Sequence, residues 1–260
     1  MAARQEKNLL AKIEASHYKL DYTPPPQQIL ASIHGSTIGT PGNFIVFSGL
    51  PKAGKSSFLS ALLASAITGK DFFGIQMHRP EKSPVAMFDT ESNEYNFYQN
   101  IARLKRISGA GARLPEWLNI FTTRSENAAG NIELINLYIQ KWRPSVVIID
   151  GLLDLLVNYN DERESRELID WLKRMTNDYG VLIVGVLHTG KKDNHTLGHF
   201  GSAADRYAES VLEVVKDQER QIFTLKPKYL RSAAGFPEIN IYYNGVTYET
   251  IDPPPPTKRK

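Results

Sequence analysis

Hydrophobic positions along the chain form two alternating patterns: short continuous apolar runs, and longer segments with an apolar residue every three or four positions. The continuous runs predict buried parallel strands at 43–48, 85–90, 118–122, 145–150 and 181–187. The segments between them predict helices at 55–67, 93–107, 130–142 and 164–177. This order predicts an α/β fold, a mostly parallel central sheet whose right-handed crossovers place helices on both faces.

The pattern changes towards both ends of the chain. After residue 208, shorter apolar segments predict an antiparallel extension with strands around 210–216, 221–226 and 239–249. Near the start, residues 7–20 predict an amphipathic helix, and the prolines at 24–26 predict a stiff connector after it. We therefore expect a helical arm with its linker, a folded domain, and a disordered proline-rich basic tail, at 1–29, 30–250 and 251–260.

Composition indicates the class of protein and the compartment in which we expect it. Hydrophobic residues make up 42% of the 260 residues and charged residues 23%, as is usual for a globular protein. No apolar run approaches the roughly 20 residues of a membrane span, and charges interrupt the first 20 residues, so neither a membrane segment nor a signal peptide is expected. The absence of cysteine excludes disulfides and thiolate metal sites, and it suits the cytoplasm. With a net charge of only +3, any nucleic-acid site must be local.

The segment from Gly49 to Ser56 matches the phosphate-binding pattern G-x-x-x-x-G-K-[ST] without a substitution. A predicted strand leads into it and a predicted helix leaves it. Glycines let backbone N–H groups turn towards phosphate oxygens, and the helix N-terminus adds the positive end of its dipole. We expect Lys55 to reach the β- and γ-phosphates of ATP, and the Ser56 hydroxyl to ligate Mg²⁺. The predicted nucleotide contacts are Gly49, Leu50, Pro51, Lys52, Ala53, Gly54, Lys55, Ser56 and Ser57.

The strand at 145–150 has the Walker B form, an apolar run that ends in an aspartate. Its Asp150 is expected to hold Mg²⁺ beside Ser56. The alternative role for an aspartate at a strand end is to cap a helix. Many P-loop ATPases place a catalytic glutamate directly after this aspartate, but here Gly151 follows. A different acidic residue must therefore serve as the base.

The strand at 85–90 runs into an acidic cluster with Asp89 and Glu91. Together with the P-loop and the Walker B strand, it resembles the RecA-like hexameric helicase superfamily, specifically the AAA_25 or RepA-type ATPases of plasmids and mobile elements. The resemblance covers roughly residues 30–250. In RecA-type ATPases the catalytic glutamate follows this strand, which implies that Glu91 activates the attacking water, with Asp89 second. The alternative is that one of them caps the helix beginning near Glu94.

The resemblance also assigns roles to residues after the fifth predicted strand. His188 stands where RecA-like motors carry a polar residue that senses the γ-phosphate, the alternative being a structural histidine. In the polar segment after it, Lys191 and Lys192 are the implied contacts for a nucleic-acid backbone, with His195 beside them, unless this is an ordinary surface loop. His195 and His199 have no evident third ligand, so a metal pair is not expected.

Three cations late in the domain extend the resemblance. Lys226, Lys228 and Arg231 cluster at the end of a predicted strand. Ring-forming RecA-like helicases present lysine and arginine at this place to the nucleotide of the neighbouring subunit, where they stabilise charge on the transferring phosphoryl group. Arg231 and Lys228 are the implied fingers, and ordinary surface charge is the alternative.

Together these features predict a Mg²⁺-dependent ATPase that forms a homo-oligomeric ring, a hexamer by resemblance, and acts on single-stranded DNA as a helicase or translocase. Two other classes stay open. A RecA-fold regulator or loader would use ATP to change a protein partner without moving on DNA. A small-molecule kinase would need an acceptor site or a lid, and the sequence shows neither signature.

Overall fold

The computed structural model describes residues 2–111, 113–190, 198–245 and 247–251. Its helices are α1 (Ala2–Ser16), α2 (Lys55–Thr68), α3 (Glu94–Ser108), α4 (Ala128–Trp142), α5 (Glu162–Tyr179) and α6 (Gly198–Tyr207), with a 3₁₀ helix at Leu152–Leu155. Its strands are β1 (Ala31–Ile33), β2 (Ser36–Gly39), β3 (Phe44–Gly49), β4 (Ile75–Met77), β5 (Val85–Asp89), β6 (Leu118–Thr122), β7 (Val146–Asp150), β8 (Leu182–His188), β9 (Ser210–Asp217), β10 (Ile222–Leu230), β11 (Ile239–Tyr243) and β12 (Tyr248–Thr250).

Within these ranges, nine strands form one sheet in the order β12-β11-β10-β9-β3-β8-β7-β5-β6. The six strands from β9 to β6 run parallel to their neighbours, and β10, β11 and β12 continue the sheet antiparallel. Two separate core clusters cover its faces, one built with α2 and α3 and the other with α4, α5 and α6. The predicted α/β fold with an antiparallel C-terminal extension is confirmed.

The central strands are buried along almost their whole length. Every residue of β3, β5 and β7 is buried, as are the residues of β8 before its last one. Because helices cover both faces of the sheet, no alternating polar face is needed, and the sequence shows continuous apolar runs instead. The five predicted core strands therefore lie within one residue of their observed bounds.

The C-terminal strands differ from the prediction in two details. β9 pairs antiparallel with β10, but its other edge pairs parallel with β3, from Ile45↔Ser210 to Ser48↔Glu213. The predicted strand at 239–249 is two strands, because the turn at Asn244 folds β12 back onto β11. Strand pairing depends on backbone contacts with distant residues, which a local apolar pattern does not specify.

The N-terminal helix lies outside the core. α1 begins and ends several residues before the predicted 7–20. The chain after it forms a turn closed by the Tyr22 N–H, which donates to Lys19 O. The side chains of residues 4–29 are all exposed, and burial begins at Leu30. The short strands β1, β2 and β4, which the apolar pattern did not predict, follow as a small separate sheet packed near α2. Across the described part of the chain, no helix combines the length and apolar character that a bilayer crossing requires.

Candidate nucleotide-binding site

Four parallel strands end at one edge of the sheet and bring the predicted site residues together. β3 ends at Gly49, β5 at Asp89, β7 at Asp150 and β8 at His188. Gly49 and His188 are register partners across β3 and β8, as are Asp89 and Asp150 across β5 and β7. Ligands of open α/β sheets bind outside the carboxyl ends of the strands, so this edge is the candidate site.

The phosphate-binding loop connects β3 to α2. Gly54 has a φ of 93°, in the left-handed region, and a Cβ at this position would lie 2.4 Å from the ring of Phe223. Glycine is required there for both reasons. Lys52 also has a positive φ, of 64°. Gly49 is the last residue of β3, and the other predicted contacts, at 50–57, lie in this loop or in the first turn of α2. Backbone N–H groups in the first turn have no partner within the helix.

Lys55, the first residue of α2, is almost fully buried. Its Nζ donates to the carbonyl oxygens of Gly49 and Leu50, both at 2.9 Å, and to His188 Nδ1 at 3.1 Å. Burial lowers the pKa of Lys55 to about 8, although nearby carboxylates act in the opposite direction. The ammonium group is thus held at the loop itself, where an incoming phosphate oxygen can replace one of its present acceptors.

Ser56 and Asp150 form the candidate magnesium site. Ser56 Oγ lies 3.4 Å from Asp150 Oδ2, a long contact that is weak as a hydrogen bond. Mg²⁺ prefers oxygen ligands and is usually held by one or two carboxylates together with substrate phosphates and water. Across the described residues, no group of three or more His, Cys, Asp or Glu that could hold a metal ion is found. When bound, the ion would polarise the phosphoryl oxygens.

The surroundings of Asp150 disfavour its ionised form. Burial raises its pKa to about 7, and the charges of Asp89 and Glu91 add to the effect, while Lys55 and Ser56 act in the opposite direction. A nearby cation would favour the ionised carboxylate and offset the repulsion from its neighbours. The surroundings of Asp150 therefore fit a magnesium ligand.

Asp89 and Glu91, the two candidates for the catalytic base, have different surroundings. Asp89 is fully buried, and its Oδ1 accepts the backbone N–H groups of Glu91 and Ser92 at 3.1 and 2.8 Å. The Glu91 side chain is 39% exposed. The N-terminus of α3 is capped by Asn93, whose side chain accepts the Asn96 N–H, so neither acidic residue has that role. We infer that Asp89 shapes the turn and that Glu91 is the one accessible to water.

His188 connects the phosphate-binding lysine to the candidate base. A lysine ammonium only donates, so Lys55 Nζ must donate to His188 Nδ1, and the imidazole proton must sit on Nε2. Nε2 then donates to Glu91 Oε1 at 3.0 Å, with Oε2 at 3.2 Å. His188 therefore orients Glu91 while it contacts Lys55. These positions bring Lys55, Ser56, Asp150, Glu91 and His188 into one site; their catalytic roles stay predictions.

Thr90 and Asp154 belong to this site, although the sequence did not single them out. Thr90 Oγ1 lies 2.6 Å from Asp154 Oδ2 and 2.9 Å from the carbonyl oxygen of Asp150. Gly151 has a φ of 120°, and a Cβ there would lie 2.1 Å from Thr90 Oγ1. A glutamate directly after Asp150 would therefore not fit. The sequence signal for Asp154 was only an acidic residue shortly after the Walker B strand, which is not distinctive.

Of the two candidate fingers, Arg231 lies at the opposite end of the strands from its own P-loop. β10 runs antiparallel to β9, so its last residue, Leu230, pairs with Ser210 at the start of β9. β9 in turn runs parallel to the P-loop strand. Arg231 is therefore separated from Gly49 by about the length of β3, roughly 17 Å for the five residue steps from Phe44. Lys228 lies at the level of Val46 and Phe47, closer to its own P-loop along the strands.

Each of the late cations has a partner within its own chain. Lys228 Nζ lies 2.7 Å from Asp205 Oδ2, and both side chains are largely buried. The Arg231 guanidinium donates to the carbonyl oxygen of Arg206. Lys226 has a different partner from Lys228, because its Nζ lies 3.1 Å from Glu213 Oε2. A finger role for Arg231 or Lys228 requires that these contacts open, and it stays a prediction.

Lys191, Lys192 and His195, the predicted nucleic-acid contacts, lie outside the described residues. The described residues before them are tied to the nucleotide site. Thr189 N–H donates to Gly49 O at 3.1 Å, directly after His188. The hydrogen bond of Thr189 therefore joins the end of β8 to the start of the P-loop.

The fold and the site together define a RecA-like P-loop ATPase. A family model described as AAA domain, AAA_25, matches residues 21–194, and the chain belongs to this family. No curated protein matches the chain. Membership makes nucleotide hydrolysis the activity of the domain.

Proposed function

We propose that this protein is a ring-forming, Mg²⁺-dependent ATPase of the RepA type, which moves along single-stranded DNA as a helicase or translocase in the replication or mobilisation of a plasmid or mobile element. The observation that carries the proposal is the position of His188. It contacts both Lys55 and Glu91 at the end of β8. The following residues lead directly to Lys191 and Lys192, so nucleotide and nucleic acid would be sensed by adjoining parts of the chain.

The chemistry of hydrolysis follows from the same contacts. Glu91 accepts a proton from the attacking water while the His188 Nε2–H holds its carboxylate in place. Asp89 keeps the turn that carries Glu91. When a γ-phosphate draws Lys55 away from His188 Nδ1, the imidazole loses one of its two contacts. The histidine can then reorient, and its motion is passed to the segment that follows it.

The positions of the P-loop and Arg231 at opposite ends of the strands support a ring of subunits. Because Arg231 lies at the edge opposite to its own P-loop, any nucleotide that it reaches belongs to another subunit. A contact of this kind is head-to-tail, since the finger edge of one subunit meets the P-loop edge of the next. Repeated head-to-tail contacts close into a ring when the rotation between subunits allows it.

The test is the ATPase rate with and without single-stranded DNA. We expect DNA to stimulate hydrolysis several-fold, less at high salt because phosphate contacts release counterions. The Lys191→Ala/Lys192→Ala variant should keep its basal rate and lose the stimulation. A matched control, Lys70→Ala/Lys82→Ala, removes two exposed lysines away from the site and should be stimulated like the wild type.

The opposite result would identify a different class of ATPase. A basal rate that Lys55→Ala abolishes, together with indifference to DNA at low and high salt, would overturn the motor role. It would favour a regulator or loader that acts on a protein partner. Gel filtration with a non-hydrolysable ATP analogue tests the ring separately, and a monomer under those conditions would overturn it.

A further inference from the structure

A buried carboxylate lies beside the segment that carries the candidate finger, Arg231. Glu209 is the residue before β9 and is only 3% exposed, yet none of the ion pairs among the described residues involves it. A charged group is costly to bury unless hydrogen bonds replace the water that it loses. The bonds that Glu209 makes therefore indicate its role.

Three donors from two segments that are distant in sequence converge on this carboxylate. The Thr40 N–H donates to Oε2 and the Thr40 hydroxyl to Oε1, both at 2.9 Å, and the Ser232 hydroxyl donates to Oε1 at 2.7 Å. The backbone of Glu209 joins the same segments, because its N–H donates to Phe44 O and its carbonyl oxygen accepts the Arg231 N–H at 3.0 Å. One residue thus fixes both Arg231 and Ser232 to the start of the P-loop strand.

We propose that Glu209 is a positioning residue for the finger: it holds the backbone at Arg231 so that the guanidinium can reach the nucleotide of the neighbouring subunit. The inference rests on the finger role proposed above. The Arg231 side chain donates to Arg206 O and must leave that carbonyl to act, whereas its backbone can stay fixed. A finger needs a fixed base, because a catalytic group misplaced by about 1 Å can lose on the order of 100-fold in rate.

An ionised carboxylate fits this arrangement of donors, and an amide of the same shape does not. The carboxylate accepts at both oxygens, whereas an amide offers one oxygen and one NH₂ donor. Thr40 donates to both oxygens of Glu209, so an NH₂ group would face one of these donors. The Thr40 hydroxyl has no lone pair left for it, because it already accepts the Gln27 and Asn43 side-chain N–H groups at 3.1 and 3.0 Å. Glu209→Gln therefore breaks the anchor with almost no change in shape.

Glu209→Gln tests the role, because it changes the anchor and leaves the P-loop of the same chain intact. We expect kcat to fall by about 10- to 100-fold, on the scale of a misplaced catalytic group, with an unchanged Kd for a fluorescent ATP analogue. Glu249→Gln is the matched control. Its carboxylate accepts the Tyr242 hydroxyl near the β12 edge of the same sheet, and it should keep the wild-type rate.

Thermal unfolding shows whether each variant folds. If Glu209→Gln does not fold, Ser232→Ala replaces it, because this change removes one of the three donors and leaves the carboxylate in place. Its kcat should fall less than that of Glu209→Gln but measurably, and the same criteria then apply to it.

Mixing subunits separates a finger defect from any other defect. Each Glu209→Gln chain has an intact P-loop, and an excess of Lys55→Ala chains supplies it with an intact finger from the neighbouring subunit. The rate is compared with that of wild-type chains in the same excess, and the deficit of Glu209→Gln should disappear in this mixture. The double variant Glu209→Gln/Arg231→Ala should be no slower than Arg231→Ala alone, because both changes act on one group.

The outcomes distinguish the positioning role from the finger itself. If Arg231→Ala is impaired and is rescued in the mixture, the finger stands. A folded Glu209→Gln that then keeps the wild-type kcat, stays impaired in the mixture, or adds its loss to that of Arg231→Ala would overturn the positioning role alone. If Arg231→Ala keeps its activity, or is not rescued, both the finger and the positioning role are wrong.

Discussion

Replacing Asp150 by asparagine should stabilise the nucleotide-free protein and abolish Mg²⁺-dependent hydrolysis. Burial, with the charges of Asp89 and Glu91, raises the pKa of Asp150 from 3.8 to about 7. Between these pH values the folded state binds more protons than the unfolded state, so wild-type stability falls as pH rises. Above pH 7, a shift of about three pKa units corresponds to about 4 kcal/mol of lost folding stability. This is the upper limit on the stability that asparagine can restore.

The net gain is smaller, because the substitution also removes the attraction between Asp150 and Lys55 and the contact with Ser56. We expect about 1 to 3 kcal/mol at pH 8, or roughly 2 to 10 °C in Tm. The assay is thermal unfolding of wild type and Asp150→Asn from pH 5 to pH 8 in EDTA. The Tm of the variant minus that of the wild type should be smallest at pH 5, should grow towards pH 7 and should then level off.

Magnesium and ATP should make the wild type more stable than Asp150→Asn, the reverse of the order in EDTA. Ligand that binds only the folded state stabilises it, so wild type should gain Tm with Mg²⁺ and ATP, and Asp150→Asn much less. Asp170→Asn, at an exposed aspartate, is the control and should stay within about 0.5 kcal/mol of wild type throughout. The reasoning is refuted if Asp150→Asn is less stable at pH 8, or if its advantage does not change with pH.

Three further predictions follow from the contacts of the site. Glu91→Gln should bind ATP but turn it over at least about 100-fold more slowly in single-turnover assays; a larger loss of kcat in Asp89→Asn, with unchanged Tm, would reverse the choice of base. His188→Ala should lower kcat by about 10- to 100-fold, because it removes one hydrogen bond to a charged group. His188→Gln should lose less activity, and equal losses in both variants would contradict an orienting role. Arg231→Ala alone should lose about 1,000-fold in kcat, and mixing it with Lys55→Ala chains should restore part of the activity, because each supplies what the other lacks; no recovery would argue against a finger that acts between subunits.

The core strands could be predicted because their burial is a local property of the sequence. β7 and β8 lie between two layers of helices, so both of their faces must be apolar. The parallel pairing of β9 with β3 could not be predicted, because it is made by backbone hydrogen bonds to residues far away in the chain. The strands β1 and β4, with three residues each, are too short to show a period.

Two parts of the site can be predicted from local residue order alone. The loop from Gly49 to Ser56, between a strand and a helix, and Asp150 at a strand end both follow from local order. Sequence also narrowed the base to two acidic residues, Asp89 and Glu91.

The resemblance ranked Glu91 ahead of Asp89, but it did not give their surroundings. The folded structure shows that Asp89 is completely buried and that Glu91 contacts His188. It alone revealed the bond between Thr90 and Asp154, and the Asp205 partner of Lys228. Burial and pairing of this kind depend on which distant segments the sheet brings together. A residue's type and its neighbours in the chain do not contain that information.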